Sequence, residues 1–143
     1  MTVIFSKKCE LALQAVLYLS VQKDKRIISA VEISKEMNVP KEFVSKVLQI
    51  LTDCGIIGSK KGKNGGFYLA KKPSSIKLID IVEAIDGLEI FHSCVLGFPG
   101  CSHNEPCPVH DKWGKLRDET YKMLSEETLE QLKEKTLHKI LSL

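Results

Sequence analysis

Three cysteines crowd an irregular stretch in the second half of the chain. Cys94, Cys101 and Cys107 follow a C-x6-C-x5-C spacing, and His110 lies three positions beyond the last of them. Three soft thiolates on one loop suit an iron–sulfur cluster or zinc. Structural zinc sites usually contain close C-x2–4-C pairs, which are absent here, so the spacing favours a cluster. If Pro108 opens a helix, Cys107 and His110 fall on adjacent faces of its first turn and can converge on one metal. Three unrelated loop thiols are the alternative. Cys9 and Cys54 sit at predicted helix ends beside apolar residues and read as buried, inert thiols. His92 and His103 border the loop as lesser ligand candidates, and His138 reads as a surface or helix-end residue.

A second chemistry is electrostatic. The chain carries a net charge of +3, but residues 1–72 hold +7 and residues 73–143 hold −4. No acidic residue occurs from Cys54 to Ile79, a window that contains Lys60, Lys61, Lys63, Lys71, Lys72 and Lys77. A basic half joined to an acidic half suits one face for a polyanion and another for a different task. A solvated lysine surface has the same composition.

These groups need a scaffold. A chain of 143 residues, 43% hydrophobic and 27% charged, is ordinary globular material for one domain or two small ones sharing a core. Its longest apolar stretch, Leu11 to Leu19, is too short to span a bilayer, and no secretory signal is legible. A soluble cytoplasmic protein with no membrane partner is therefore expected. No paired carboxylates and no Ser/His/Asp order point to hydrolysis, so neither enzymatic activity nor a small-molecule substrate is expected.

The hydrophobic period predicts a mainly α chain. Ser6 caps a helix to about Val21, apolar on most sides through Leu11, Ala12, Ala15, Val16 and Leu19. Ser29-Ala-Val-Glu32 is a capping box opening a second helix to Met37. Pro40 starts a third, with Val44, Val47, Leu48 and Leu51 inward, ended by Cys54-Gly55. The period then changes. Ile56-Ile57 and Phe67-Tyr68-Leu69 read as strands of a hairpin around a glycine-rich tip. Residues 1–72 thus form a winged helix-turn-helix: three helices and a β-hairpin wing.

Residues 73–143 hold a helix from about Ile76 to Asp86, the cysteine loop (88–110) and a long helix from Pro108. On that helix Val109, Trp113, Leu116, Thr120 and Met123 make a heptad seam fit to pair with a partner helix. A terminal helix is expected from Ser125, with Leu129, Leu132 and Leu137 inward.

A recognition helix of this kind presents Lys41, Ser45, Lys46 and Gln49 to base edges and phosphates of double-stranded DNA. Wing lysines Lys60, Lys61 and Lys63 lie over phosphates or the minor groove, and Gly65 and Gly66 permit close backbone approach. A winged fold used only for protein contacts is the alternative. Gly62-Lys63 is not a phosphate-binding loop, because Asn64 replaces the Ser/Thr that holds magnesium and no helix follows.

The Lys61-Gly62-Lys63-Asn64-Gly65-Gly66-Phe67 wing, the three-cysteine loop and the long C-terminal helix together resemble the Rrf2 family, in its IscR- and NsrR-like branch. The resemblance spans nearly the whole chain. It implies a homodimeric DNA-binding regulator, a repressor on pseudo-palindromic operators, whose cluster responds to iron, redox state or nitric oxide. Cys94, Cys101 and Cys107 match the family's cluster cysteines. His110 matches the histidine of the IscR-like branch, which implies a 2Fe–2S cluster. Glu10 stands where NsrR-like members place an acidic ligand from the partner subunit's first helix, which implies 4Fe–4S instead. Lys61 replaces an arginine common in the wing, Ser45 replaces a glutamate of some IscR-like members, and the first cysteine spacing is one residue longer than a common form. A regulator with a zinc or thiol sensor, and an electron-transfer or cluster-carrier protein without specific DNA binding, are the competing functions.

Overall fold

The structure, a computed structural model, describes residues 4–22, 26–99 and 104–141. Its helices are α1 Lys7–Ser20, α2 Ala30–Met37, α3 Lys41–Asp53, α4 Leu78–Ile85, α5 His110–Glu126 and α6 Leu129–Leu141. One antiparallel hairpin joins β1 Ile57–Lys60 to β2 Gly66–Leu69, in the register Ile57 to Leu69 and Lys60 to Gly66.

The local causes are readable. Ser6 accepts the Cys9 amide at 3.1 Å and Ser29 accepts the Glu32 amide at 3.1 Å, so both first turns are capped by a hydroxyl. Asn38 ends α2 in the left-handed conformation (φ 54°), which an asparagine tolerates. Pro40 stands just outside α3 as its cap, one position earlier than its expected place inside the first turn. Beneath these elements Val16, Ile28, Ile33, Val44, Val47, Leu48, Leu51 and Ile57 are fully buried in one core, which α1 crosses. Each such side chain contributes roughly 1.5–3 kcal/mol of apolar burial.

Two tertiary ties escape the local pattern. Ile28 pairs with Phe67 through reciprocal backbone bonds of 2.9 and 2.8 Å, adding a third, one-residue strand to the wing. Lys77 pairs with Thr128, with Leu78 N–H on the Glu127 carbonyl at 3.1 Å and Leu129 N–H on the Ile76 carbonyl at 3.0 Å. The second tie corrects the expected start of the terminal helix. α5 runs unbroken through Ser125 to Glu126, the chain extends at residues 127–128 to pair with 76–77, and α6 begins at Leu129. The new start has its own capping box: Thr128 accepts the Gln131 amide while the Gln131 side chain accepts the Thr128 amide. α6 then packs against α1. Leu129 is fully buried and Leu132 half-buried, but Leu137, expected inward, is 44% exposed.

Candidate functional site

The cysteine site lies between α4 and α5. After α4, Gly87 turns the chain with φ 77° and a single 3-10 turn spans Glu89–Phe91, delivering Ser93 and Cys94 beside α5. Cys94 opens a tight turn in which Gly97, at φ 82°, donates its N–H to the Cys94 carbonyl at 3.0 Å. Cys107 lies three residues before α5, and the His110 amide, first in that helix, donates to the Cys107 carbonyl at 3.0 Å. Pro108 and Val109 form the turn that precedes the helix, so α5 starts two residues after the proline expected to open it.

The loop thus returns Cys94 and Cys107 to each other across twelve intervening residues. Their thiols are hydrogen-bonded, and that contact holds the Cys94 thiol below its ordinary acidity range. Burial works against the shift, while backbone N–H groups of Leu96, Phe98 and Gly97, aimed at the same sulfur, add to it. Such a ring of amides stabilises thiolate charge. Both sulfurs line a cavity of about 370 Å³ with Phe98, Pro99, Glu105, Pro106 and Pro108.

Cys101 and His103 lie outside the described residues. Among the described residues no three His, Cys, Asp or Glu side chains are grouped closely enough to hold a metal, so His110 is not brought into one set with Cys94 and Cys107. It is nevertheless buried at the head of α5. The donor chemistry fits an iron–sulfur group: two adjacent thiols, a concave space, and amides directed at sulfur. Glu10 is half-buried in the first turn of α1 and pairs with Lys7 at 3.5 Å. His92 and His138 are exposed.

The remaining cysteines part company. Cys9 is fully buried, and desolvation, with the Asp86 carboxylate next to it, pushes its thiol up to about 12. Asp86 also accepts the Ser6 amide at 2.8 Å and the Ser6 hydroxyl, tying the start of α1 to the end of α4. Cys54, expected to be buried, is exposed: it is the C-cap residue, one position past the end of α3, where the buried stripe of Val44, Val47, Leu48 and Leu51 has ended.

On α3, Lys41, Lys46 and Gln49 are exposed and Ser45 is half-buried; the Gln49 amide donates to Asp53 at 2.9 Å. Lys60, Lys61 and Lys63 stand exposed on the wing. Gly65 and Gly66 have a folding reason of their own. A Cβ on Gly65 would lie 2.2 Å from the Lys60 carbonyl oxygen, and one on Gly66 would lie 2.5 Å from that of Ile28. Reading the sequence missed Ser93, Trp113 and Arg117 as site residues. Trp113 donates its indole N–H to the Ser93 carbonyl at 2.9 Å.

A three-helix domain with a basic β-wing, an exposed basic recognition helix and a cysteine loop on a long trailing helix define a DNA-binding winged-helix transcriptional regulator. The family model "Iron-dependent Transcriptional regulator", Rrf2, matches residues 5–135. The chain belongs to the Rrf2 family. An HTH-type regulator from Aquifex aeolicus, so named provisionally, is 37% identical over 118 residues, 81% of each chain. The Escherichia coli transcriptional regulator IscR is 25% identical over 113 residues, 79% of this chain and 69% of its own. Among solved structures, CymR, the global cysteine regulator of Bacillus subtilis, superposes with a TM-score of 0.76 at 21% identity, covering 93% of this chain and 98% of that one. IscR from T. potens gives 0.71 at 20% identity, covering 92% and 85%. These relatives are regulators, not enzymes. Among the described residues no helix is long and apolar enough to cross a membrane.

Proposed function

We propose that the chain is a cytoplasmic homodimeric repressor whose operator affinity is set by an iron–sulfur cluster. Residues 1–72 form its DNA-binding part and residues 73–143 its sensing and pairing part. The observation that carries the reading is the hydrogen-bonded Cys94–Cys107 thiol pair, with backbone N–H groups aimed at the Cys94 sulfur. Cys94, Cys101, Cys107 and His110 would hold a 2Fe–2S cluster; Glu10 from the partner subunit is the alternative fourth ligand, with 4Fe–4S. When bound, the cluster supplies a centre sensitive to iron supply, oxidants and nitric oxide.

The chain's own residues do the rest. Lys41, Ser45, Lys46 and Gln49 meet base edges and phosphates in the major groove, and Lys60, Lys61 and Lys63 neutralise phosphates beside it. Pairing falls to α5. Leu116 and Met123, seven residues apart, are 58% and 53% exposed in the single chain. Apolar residues left bare at heptad spacing suit the matching helix of a second subunit.

Anaerobic purification with iron and acid-labile sulfide assays tests the reading. Coloured protein with equal iron and sulfide, lost in Cys107→Ala, is the expected result. A colourless protein carrying stoichiometric zinc and no sulfide would overturn it. The second reading, a thiol sensor without a metal, draws on the same pair: two thiols already hydrogen-bonded to each other are set for oxidation without a cluster. Colourless, metal-free protein that still binds duplex and loses two thiols to peroxide would establish it instead.

A further inference from the structure

The residue before Cys94 is held from outside the loop. The Ser93 carbonyl accepts the indole N–H of Trp113 at 2.9 Å, and the Arg117 guanidinium, one turn further along α5, reaches the same oxygen at 3.5 Å. The Ser93 hydroxyl donates to the Glu89 carbonyl at 2.8 Å, so the residue is fixed on both sides. Two turns along α5 from Trp113, the Tyr121 ring packs edge-on against Phe91, with centroids 5.2 Å apart and planes at 81°. The segment entering Cys94 is therefore fastened to α5 at two heights.

The two described cysteines of the loop reach α5 by different routes. Cys107 is carried directly into it by the chain, three residues before the helix begins. Cys94 has no covalent route that short; residues 95–109 separate it from α5. A bond from Trp113 to the peptide unit joining Ser93 and Cys94 supplies the missing connection. That peptide is planar and stiff, so a displacement at Cys94 displaces the Ser93 carbonyl with it. Trp113 also stands three residues before exposed Leu116, on the same face of α5.

We propose that Trp113 is a positioning residue that couples the cysteine site to the pairing face of α5: its bond to the Ser93 carbonyl transmits the state of Cys94 to the helix that joins the subunits. The inference rests on the cluster-bearing homodimer proposed above and names the route by which that cluster acts on duplex binding. Coupling between sites needs such an element, whose arrangement both ends bias.

The test uses full-length wild-type and Trp113→Phe protein, purified anaerobically, loaded with cluster and then stripped by chelator. The probe is a duplex selected from a random-sequence pool by the wild-type protein. The phenyl ring keeps most of the packing and removes only the donor. Trp113→Phe is expected to retain wild-type iron and sulfide while the ratio of loaded to stripped affinities shrinks about fivefold, the worth of one hydrogen bond. A second readout needs no variant. Trp113 is the chain's only tryptophan, so the wild-type emission maximum reports its surroundings alone and is expected to move to longer wavelength on stripping. An unchanged affinity ratio in Trp113→Phe, or equal losses in both states, would overturn the coupling. If Trp113→Phe does not fold or does not load, the emission maximum decides, and a fixed maximum overturns the proposal. Wild-type protein without iron and sulfide would instead remove the underlying reading, and the inference with it.

Discussion

One substitution made at two glycines is expected to act with opposite signs. At Gly66 an added Cβ lies 2.5 Å from the Ile28 carbonyl oxygen and 2.7 Å from its carbon, both backbone atoms that cannot swing aside. Relief requires the 27–28 segment to part from β2, which breaks the reciprocal Ile28–Phe67 bonds of 2.9 and 2.8 Å. Two backbone bonds are worth about 1 kcal/mol each, and loosening the fully buried Ile28 side chain costs up to about 2 kcal/mol more. Gly66→Ala should therefore destabilise by about 2–4 kcal/mol, or roughly 6–12 °C in Tm for a chain of this size. At Gly114, inside α5, an added Cβ meets nothing within 4 Å. Alanine there removes backbone freedom from the unfolded chain and should stabilise by about 0.5–1 kcal/mol. Thermal unfolding followed by circular dichroism, at one fixed protein concentration because the proposed pairing would contribute to Tm, reads both variants. Duplex affinity should fall in Gly66→Ala, whose wing is displaced, and hold in Gly114→Ala. A Gly66→Ala melt within a degree of wild type would refute the reasoning, since the third strand would then not depend on that close approach.

Thiol labelling should separate the cysteines: under native conditions iodoacetamide modifies Cys54 rapidly and leaves Cys9 intact until the chain unfolds, as peptide mass spectrometry will show. The Cys9 thiol, raised to about 12 from 9.0, stays protonated in the fold at a pH where the unfolded chain ionises. Its contribution is thus complete below pH 9 and is lost as pH rises toward 12. Denaturant titrations should show wild type losing roughly 1.4 kcal/mol more than Cys9→Ala between pH 7 and pH 10. Replacing Leu116 or Met123 by glutamate should convert dimer to monomer in sedimentation equilibrium, with the helical circular dichroism of the subunit retained. Lys61→Ala should weaken binding uniformly across duplex sequences and reduce the slope of log affinity against log salt by about one, whereas Gln49→Ala should relax preference at a single base pair.

The winged domain was legible because its signals are local. The capping serines, the 3.6-residue stripe of α3 and the change to strand chemistry after Gly55 each act within a few residues of where they are read. What stayed hidden depends on distant partners. Ile27-Ile28 looks like a loop until Phe67 is seen opposite Ile28, and the glycine at position 66 has no reason without that partner. Ser125 resembles a helix start but lies inside α5; the true break comes two residues later, at Glu127, beside the pairing of Lys77 with Thr128. Thr128-x-x-Gln131 was a readable cap that the stronger-looking serine obscured. Cysteine spacing alone singled out the loop, since thiol chemistry marks itself by residue type. Trp113 was marked only as part of the α5 seam; its tie to position 93 left no mark, because the partner is a main-chain carbonyl that any residue there would present.

The charge division acquires a more specific meaning on this fold. The basic half places Lys41 and Lys46 on the recognition helix and Lys60, Lys61 and Lys63 on the wing, all exposed and without acidic residues between Cys54 and Ile79 to oppose them. The acidic half is not a uniformly negative surface. Along α5, Asp111, Asp118 and Glu119 alternate with Lys112, Lys115 and Lys122, all exposed beside the bare Leu116 and Met123. A single-sign face would repel its own copy. In the proposed homodimer a mixed face around an apolar seam would let each subunit's acids meet the other's lysines across a two-fold axis. On the proposed function charge would therefore sort the two partners, nucleic acid toward α3 and the wing and a second subunit toward α5, and because Ser93, next to Cys94, is bonded to Trp113 of α5, a change of state at the cysteine site would act on how the subunits pair rather than on the DNA-reading surface itself.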